Sequence, residues 1–163
     1  MRRAAWHWLV VCSGLVILAG CGFQLRGQSP LPFDSAYVEA AEGSVLKPLL
    51  SQYLRLNGKR VLPNAAGAQV VIRIDKETRS KDILSLSGSG KVREYRLGYR
   101  LVLSAFDAAG RQILAPTEHQ LTRDYSYDDT QVLAKEGEEA QLMRDMEQAM
   151  LRQVVRRLAF AKP

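Results

Sequence analysis

Apolar and polar positions along the chain sort into an apolar leader, one short strand, a helix, three long alternating strands and a final helix. Residues 9–18 form an apolar stretch of ten residues, about half the length needed to span a bilayer. Residues 35–40, Ser-Ala-Tyr-Val-Glu-Ala, read as a short strand. From Ser44, a residue able to cap, Val45, Leu46, Leu49, Leu50, Tyr53, Leu54 and Leu56 recur at helical spacing until Asn57-Gly58 ends the run. Pro48 falls near the start of that helix, where its missing N–H costs least. Over residues 68–78, Val70, Ile72 and Ile74 alternate with Val71, Arg73 and Asp75, the period of a half-buried strand that can extend to Leu86.

Ser87-Gly88-Ser89-Gly90 then predicts a hairpin turn. In the following run Tyr95, Leu97, Tyr99, Leu101, Leu103 and Ala105 share one face, with Glu94, Arg96, Gly98, Arg100 and Ser104 on the other. Asp107-Ala108-Ala109-Gly110 predicts a second turn, followed by a strand over residues 111–127 in which Pro116 implies an edge or a bulge. Residues 131–159 read as a helix with Leu142, Met146, Ala149, Met150, Val154 and Leu158 on one stripe, and Gly137 is expected to break its first turns. The order strand, helix, three strands, helix predicts an α+β two-layer sandwich, with both helices on one face of a mainly antiparallel four-stranded sheet. The other face, carrying Arg73, Glu94, Arg96 and Arg100, is then solvated or reserved for a partner.

The leader changes the picture of where this domain works. Arg2 and Arg3 precede the apolar stretch, and Leu18-Ala19-Gly20-Cys21 has the form of a bacterial lipoprotein cleavage box. The expected organisation is a signal peptide over residues 1–20, a lipidated tether over 21–34 and one domain over 35–163. Cys21 would carry the lipid, and three acyl chains, at on the order of 0.8 kcal/mol per buried methylene, make a permanent anchor. Residue 22 is glycine, whereas aspartate at that position commonly retains bacterial lipoproteins at the inner membrane; by that likeness the destination is the periplasmic face of the outer membrane.

Removing the signal takes Lys and Arg from 23 to 21 against 17 acidic residues, a formal charge of +4. In the periplasm that balance favours anionic lipid headgroups, lipid A phosphates or an acidic partner, and the compartment excludes nucleic acid. Cys12 leaves with the signal and Cys21 is modified, so no disulfide, thiol nucleophile or thiolate metal site is expected. His119 is the one histidine beyond the signal and reads as an ordinary strand residue; no Gly-x-Ser-x-Gly context is present. Asp124, Asp128, Asp129, Glu136, Glu138 and Glu139 lack calcium-loop spacing and read as a solvated loop and helix start. No catalytic residue, metal or cofactor is expected.

Basic residues remain as the candidate chemistry: Lys91, Arg93, Arg96 and Arg100 around the first hairpin, and Lys135 at the start of the final helix. Guanidinium forks and ammonium groups both suit phosphomonoesters. The same charges also serve simply to keep a sheet face soluble and its edges unpaired, and both readings stand at this point.

Cys21-Gly22-Phe23-Gln24-Leu25-Arg26-Gly27 resembles the mature start of the LPS-assembly lipoprotein LptE family. Leu54-Arg55-Leu56-Asn57-Gly58, Glu94-Tyr95 and Leu133-Ala134-Lys135 extend the resemblance in family order across nearly the whole mature chain. It implies an α/β sandwich that forms a heterodimer with the β-barrel LptD, plugs its lumen and assists lipopolysaccharide insertion into the outer leaflet, without enzymatic activity. It also implies a lipopolysaccharide-binding role for Lys135. The family's second basic residue lies in a hairpin turn; here the turn is Ser87-Gly88-Ser89-Gly90, so Lys91 and Arg93 just beyond it are expected to supply that charge. The competing reading is a free-standing periplasmic lipoprotein that binds an amphiphile without a barrel, which would need an enclosed apolar pocket.

Overall fold

The structure, a computed structural model, describes residues 31–163. The expected signal peptide, Cys21 and the motif after it lie outside the described residues. Strand β1 (Ser35–Ala40) leads into helix α1 (Leu46–Leu56), then the two-residue strand β2 (Arg60–Val61), the long strands β3 (Val70–Leu86), β4 (Val92–Asp107) and β5 (Gln112–Ser126), and helix α2 (Val132–Leu158). The sheet order is β2-β1-β3-β4-β5.

Four strands in a mainly antiparallel sheet were expected; the sheet has five and is mixed. β1 pairs in parallel with both β2 and β3, whereas β3–β4 and β4–β5 are antiparallel. The cause is α1. A helix between β1 and β3 returns the chain to its starting end, so β3 must run alongside β1. Arg60–Val61 carries no alternation long enough to betray a strand, yet it adds at the outer edge of β1, opposite Ser35 and Ala36.

Local chemistry explains most boundaries. Ser44 Oγ accepts from Lys47 N–H at 3.1 Å and so caps the start of α1. At its end, Gly58 takes φ +74°, and Lys59 N–H bonds back to the Leu54 carbonyl. Both hairpin turns close on a glycine of positive φ, Gly90 and Gly110. β5 is the edge strand that Pro116 implied, and its pairing with β4 shifts register between Leu103 and Ala105. Gly137 does not break α2, which runs unbroken through it at a position where an added Cβ would meet open space.

Both helices cover the face formed by Leu97, Tyr99, Leu101, Leu103 and Ala105 of β4, all buried. Leu46, Leu50 and Leu54 of α1 and Met146, Met150, Val154 and Leu158 of α2 meet them in one core. Leu31 and Phe33, ahead of β1, and Ala161, beyond α2, also pack into it. Two ends can therefore be distinguished. The proximal end holds Leu31, the 107–110 turn and the last turns of both helices; the distal end holds the 87–90 turn and the start of α2. No helix among the described residues is long and apolar enough to cross a membrane.

A bulge in β3 divides the sheet between these ends. Ile74 pairs with Leu103 but Lys76 pairs with Val102, leaving Asp75 as the extra residue, where its carboxylate accepts from Ser104 Oγ at 2.7 Å. One extra residue reverses which side chains face the helices. Before it, Val70, Ile72 and Ile74 are the buried set; after it, Glu77, Arg79 and Lys81 register with Leu101, Tyr99 and Leu97. The simple alternation read for this strand therefore holds only as far as Ile74.

Candidate functional site: the charged distal end

Beyond the bulge, sheet and helix meet through ion pairs. Lys81 Nζ lies 2.5 Å from Glu139 Oε2 of α2, and the same oxygen accepts from Tyr125 Oη at 2.6 Å. Lys81 also sits 4.3 Å above the Tyr95 ring, which stacks on Tyr125 and meets Tyr127 edge-on. Burial alone would raise the Glu139 pKa, but hydrogen bonds from Lys81 and Tyr125 outweigh it and hold the carboxyl below its ordinary value. Burial, then the Glu139 charge, pushes the Tyr125 phenol up to about 12. Two turns further along α2, Arg79 reaches Glu147 at 3.3 Å. Glu77 completes the seam: it accepts from Tyr99 Oη at 2.6 Å, from Ser44 Oγ at 2.5 Å and from Leu46 N–H at 3.2 Å, so a strand carboxylate anchors the positive end of α1.

The sequence-predicted cations separate into two places. Lys91, Arg93 and Lys135 gather around the loop joining β5 to α2. Lys91 Nζ bonds Asp129 at 2.6 Å, Lys135 Nζ bonds Glu138 at 2.8 Å and Ser126 Oγ at 3.2 Å, and the Arg93 carbonyl accepts from Tyr127 N–H at 2.7 Å. Asp128, between them, is held below the ordinary carboxylate range first by the Thr130 backbone N–H and hydroxyl, with Lys135 and Lys91 adding to the effect. Arg93 has no ion pair among the described residues. Lys135 is the preordered member, its side chain only 16% exposed, whereas that of Lys91 is 68% exposed.

Arg96 and Arg100 lie on the open face of the sheet instead. Arg96 makes a two-pronged pair with Asp124, its direct cross-strand partner, with both N···O distances 2.7 Å. Arg100 pairs with Glu118 at 3.1 Å and Arg73 with Glu39 at 2.8 Å. Such exposed pairs contribute about 0–1 kcal/mol each, so their main effect is to order a polar surface. Between Arg96 and Arg100, Gly98 leaves a shallow depression in which an added Cβ would meet Ser80 Oγ.

His119, on β5, is half-buried toward α2. Burial, with Arg157 adding to it, lowers its pKa against an opposing influence of Gln153, and its buried Nε2 has no hydrogen-bond partner among the described residues. Asp124, Asp129, Glu138 and Glu139 each have a cationic partner.

Reading the chain alone missed two kinds of residue at the distal end. Asp129 and Glu139 follow no local pattern toward the lysines that they neutralise, whereas Glu138 stands three residues from Lys135 on the expected helix. The exposed apolar group Ile83, Leu84, Leu86, Val132 and Leu133 does leave a signal, since apolar residues immediately flank the predicted turn and the start of the helix.

Fold and distal end together define a two-layer α+β domain whose ordered chemistry is a set of paired surface charges. The sequence model of LptE, described as lipopolysaccharide-assembly, matches residues 32–158. The chain belongs to the LptE family of LPS-assembly lipoproteins. LPS-assembly lipoprotein LptE of Photorhabdus laumondii subsp. laumondii is 26% identical over 155 residues, covering 92% of this chain and 84% of the relative. That of Yersinia pestis is 28% identical over 156 residues, covering 92% and 74%. Among solved structures, lipoprotein B from Nitrosomonas europaea superposes with a TM-score of 0.74 at 36% identity, covering 85% of this chain and 90% of that one. Rare lipoprotein B from Shewanella oneidensis gives 0.60 at 26%, covering 76% and 89%.

Proposed function

We propose that this protein is lipidated at Cys21, sits on the periplasmic face of the outer membrane, binds and plugs the LptD β-barrel, and assists lipopolysaccharide assembly into the outer leaflet. The observation that carries the binding role is the distal end. Lys91, Arg93 and Lys135 surround one loop, next to exposed Ile83, Leu84, Leu86, Val132 and Leu133. Cations beside an apolar patch suit an amphiphile that carries phosphates on an acylated sugar. Lipid A phosphates would take over the ammonium groups now held by Asp129 and Glu138, with Arg93 already free. A plug in a polar lumen needs a surface rich in hydrogen-bonding groups, which the open sheet face with Arg96 and Arg100 supplies. Domain boundaries follow: signal 1–20, lipidated tether from Cys21, and the folded module after it.

The rival free-standing amphiphile carrier would enclose its ligand. A cleft of about 540 Å³ between β3 and α2 is open and lined by Arg79, Lys81, Glu136 and Glu139 as well as by Leu97, Ala140 and Met143. That composition favours surface recognition. Capture of the tagged full-length protein from detergent-solubilised host membranes tests the reading: a stable complex with a large β-barrel is expected. Recovery as a lone monomer from membranes that contain the barrel would overturn the plug.

A further inference from the structure

We propose that the depression over Gly98, on the open face of the sheet, is a socket for a carboxylate side chain on the inner wall of the partner barrel, with Lys76 as the charge that meets it. The inference rests on the plug reading above and names one contact within it. Beyond the bulge, the even-numbered residues of β3 share the open face with those of β4 and β5. Thr78, Arg100 and Gln120 stand in one cross-strand row, and Ser80, Gly98 and Thr122 in the next. The missing side chain of Gly98 leaves a floor of bare backbone in a depression of about 250 Å³, lined also by Lys76, Thr78, Ser80, Arg100 and Gln120. Two cations and three neutral polar side chains, with no carboxylate among them, complement a single negative charge.

Lys76 sets this depression apart. Arg73, Arg96 and Arg100 on the same face are each neutralised, by Glu39, Asp124 and Glu118. Lys76 has neither an ion pair nor a side-chain hydrogen bond among the described residues, and the Thr78 hydroxyl has no partner among them either. Arg100 spends its Nε on Glu118 at 3.1 Å, while its Nη2 has only a 3.4 Å contact with Gln120 Oε1. Three donors of one depression, Lys76 Nζ, Thr78 Oγ1 and Arg100 Nη2, are therefore available to an incoming acceptor. Keeping the face soluble would explain a lone exposed lysine. It does not explain a glycine in the middle of β4, a strand paired on both sides, where strand propensity opposes it. Packing does not demand Gly98 either, since an added Cβ would meet Ser80 Oγ at 2.5 Å, a hydroxyl that one χ1 rotation moves aside. Glycine inside a strand marks a place where another group approaches the backbone closely.

Position selects the occupant. The depression lies on the flank of the sheet, on the side away from both helices, so it faces the wall of a lumen in which the domain stands, and such walls are polar. None of the exposed apolar residues Ile83, Leu84 and Leu86 lines it, so it lacks what an acylated ligand would need. The loop cluster of Lys91, Arg93 and Lys135 is left free for its own ligand.

Zero-length coupling tests the contact. A water-soluble carbodiimide joins an ammonium group to a carboxylate only where the two touch. Applied to the barrel complex captured with the tagged full-length protein, it should give a peptide pair linking Lys76 to an aspartate or glutamate of the barrel. Lys76→Arg keeps the charge but cannot be coupled, so it should lose that link and keep the capture. Lys76→Glu should release the barrel about tenfold faster. Gly98→Val with Ser80→Ala fills the floor without a clash; it should also release the barrel faster, at an unfolding midpoint no lower than that of the parent. Lipopolysaccharide binding by these variants is expected to be unchanged. A captured barrel with no link at Lys76, or a Lys76→Glu complex as long-lived as the parent's, would overturn the socket and leave the plug standing. Lipopolysaccharide binding lost in Lys76→Glu with barrel capture intact would assign the depression to the lipid and likewise overturn it. Failure of the parent to capture any barrel would overturn the plug reading, and the socket with it.

Discussion

In the proximal half of the molecule the sheet and helices meet through leucine, isoleucine, valine and methionine; in the distal half the same strands and the same helix meet through Glu77, Arg79, Lys81, Glu139 and Glu147. Ile72, Leu103, Leu50 and Met150 are fully buried, whereas none of the first ten residues of α2 is fully buried. The difference arises from a single extra residue. Asp75 bulges out of β3 and turns the charged alternation of residues 77–81 toward the helix layer. Burial of apolar area, about 25 cal/mol per Å², makes the proximal half the source of stability. Paired charges at partial exposure add little, and they leave the distal half with groups that can change partners. An end of exchangeable paired charges is thus built onto a rigid one within one sheet.

This contrast can be broken most severely from the apolar side. Leu101→Ala or Leu50→Ala is expected to cost about 2–5 kcal/mol in urea unfolding, through lost burial and a cavity. At the junction, Glu77→Ala strips Tyr99 Oη, Ser44 Oγ and the Leu46 N–H of one shared acceptor. The expected loss is about 1–3 kcal/mol, measured in the same way. Glu139→Gln in the distal seam should cost no more than about 1 kcal/mol, and it should also flatten the acid limb of the stability curve. Glu139 and Asp128 have folded pKa values below their ordinary ones. The unfolded chain therefore binds protons first, and their contribution is full above the ordinary carboxylate range and lost as pH falls through the folded values. Unfolding midpoints measured from neutral pH down to about pH 3 would show a shallower decline in Glu139→Gln than in the parent.

Much of this fold was legible because its elements are local. Residues 35–40 were read as a strand and form β1 over the same span. The two hairpin turns fall on their glycines, and the odd-numbered face of β4 is the buried one. What escaped depends on tertiary register. Nothing near Asp75 in the sequence announces a bulge, since an aspartate after alternating Val and Ile reads as one more exposed position. Parallel pairing of β1 depends on where α1 returns the chain, and β2 is too short to show a period. The sequence placed the cations near one turn and one helix start without showing how they divide. Their splitting into a loop cluster, Lys91, Arg93 and Lys135, and an open-face pair, Arg96 and Arg100, follows from the strand faces. Asp129 could not be matched to Lys91 because the pair spans 38 residues, whereas Glu138 lies three residues from Lys135 on the expected helix and its pairing was simply left unread.

The central claim is that the distal loop cluster holds lipopolysaccharide while the proximal core holds the fold. It is tested most directly by measuring lipopolysaccharide binding and urea stability together for the combined Lys91→Gln, Arg93→Gln and Lys135→Gln variant. The account predicts binding reduced by at least tenfold with the unfolding midpoint nearly unchanged, since each lost surface pair is worth about 0–1 kcal/mol. Binding equal to that of the parent, with the fold intact, would contradict it.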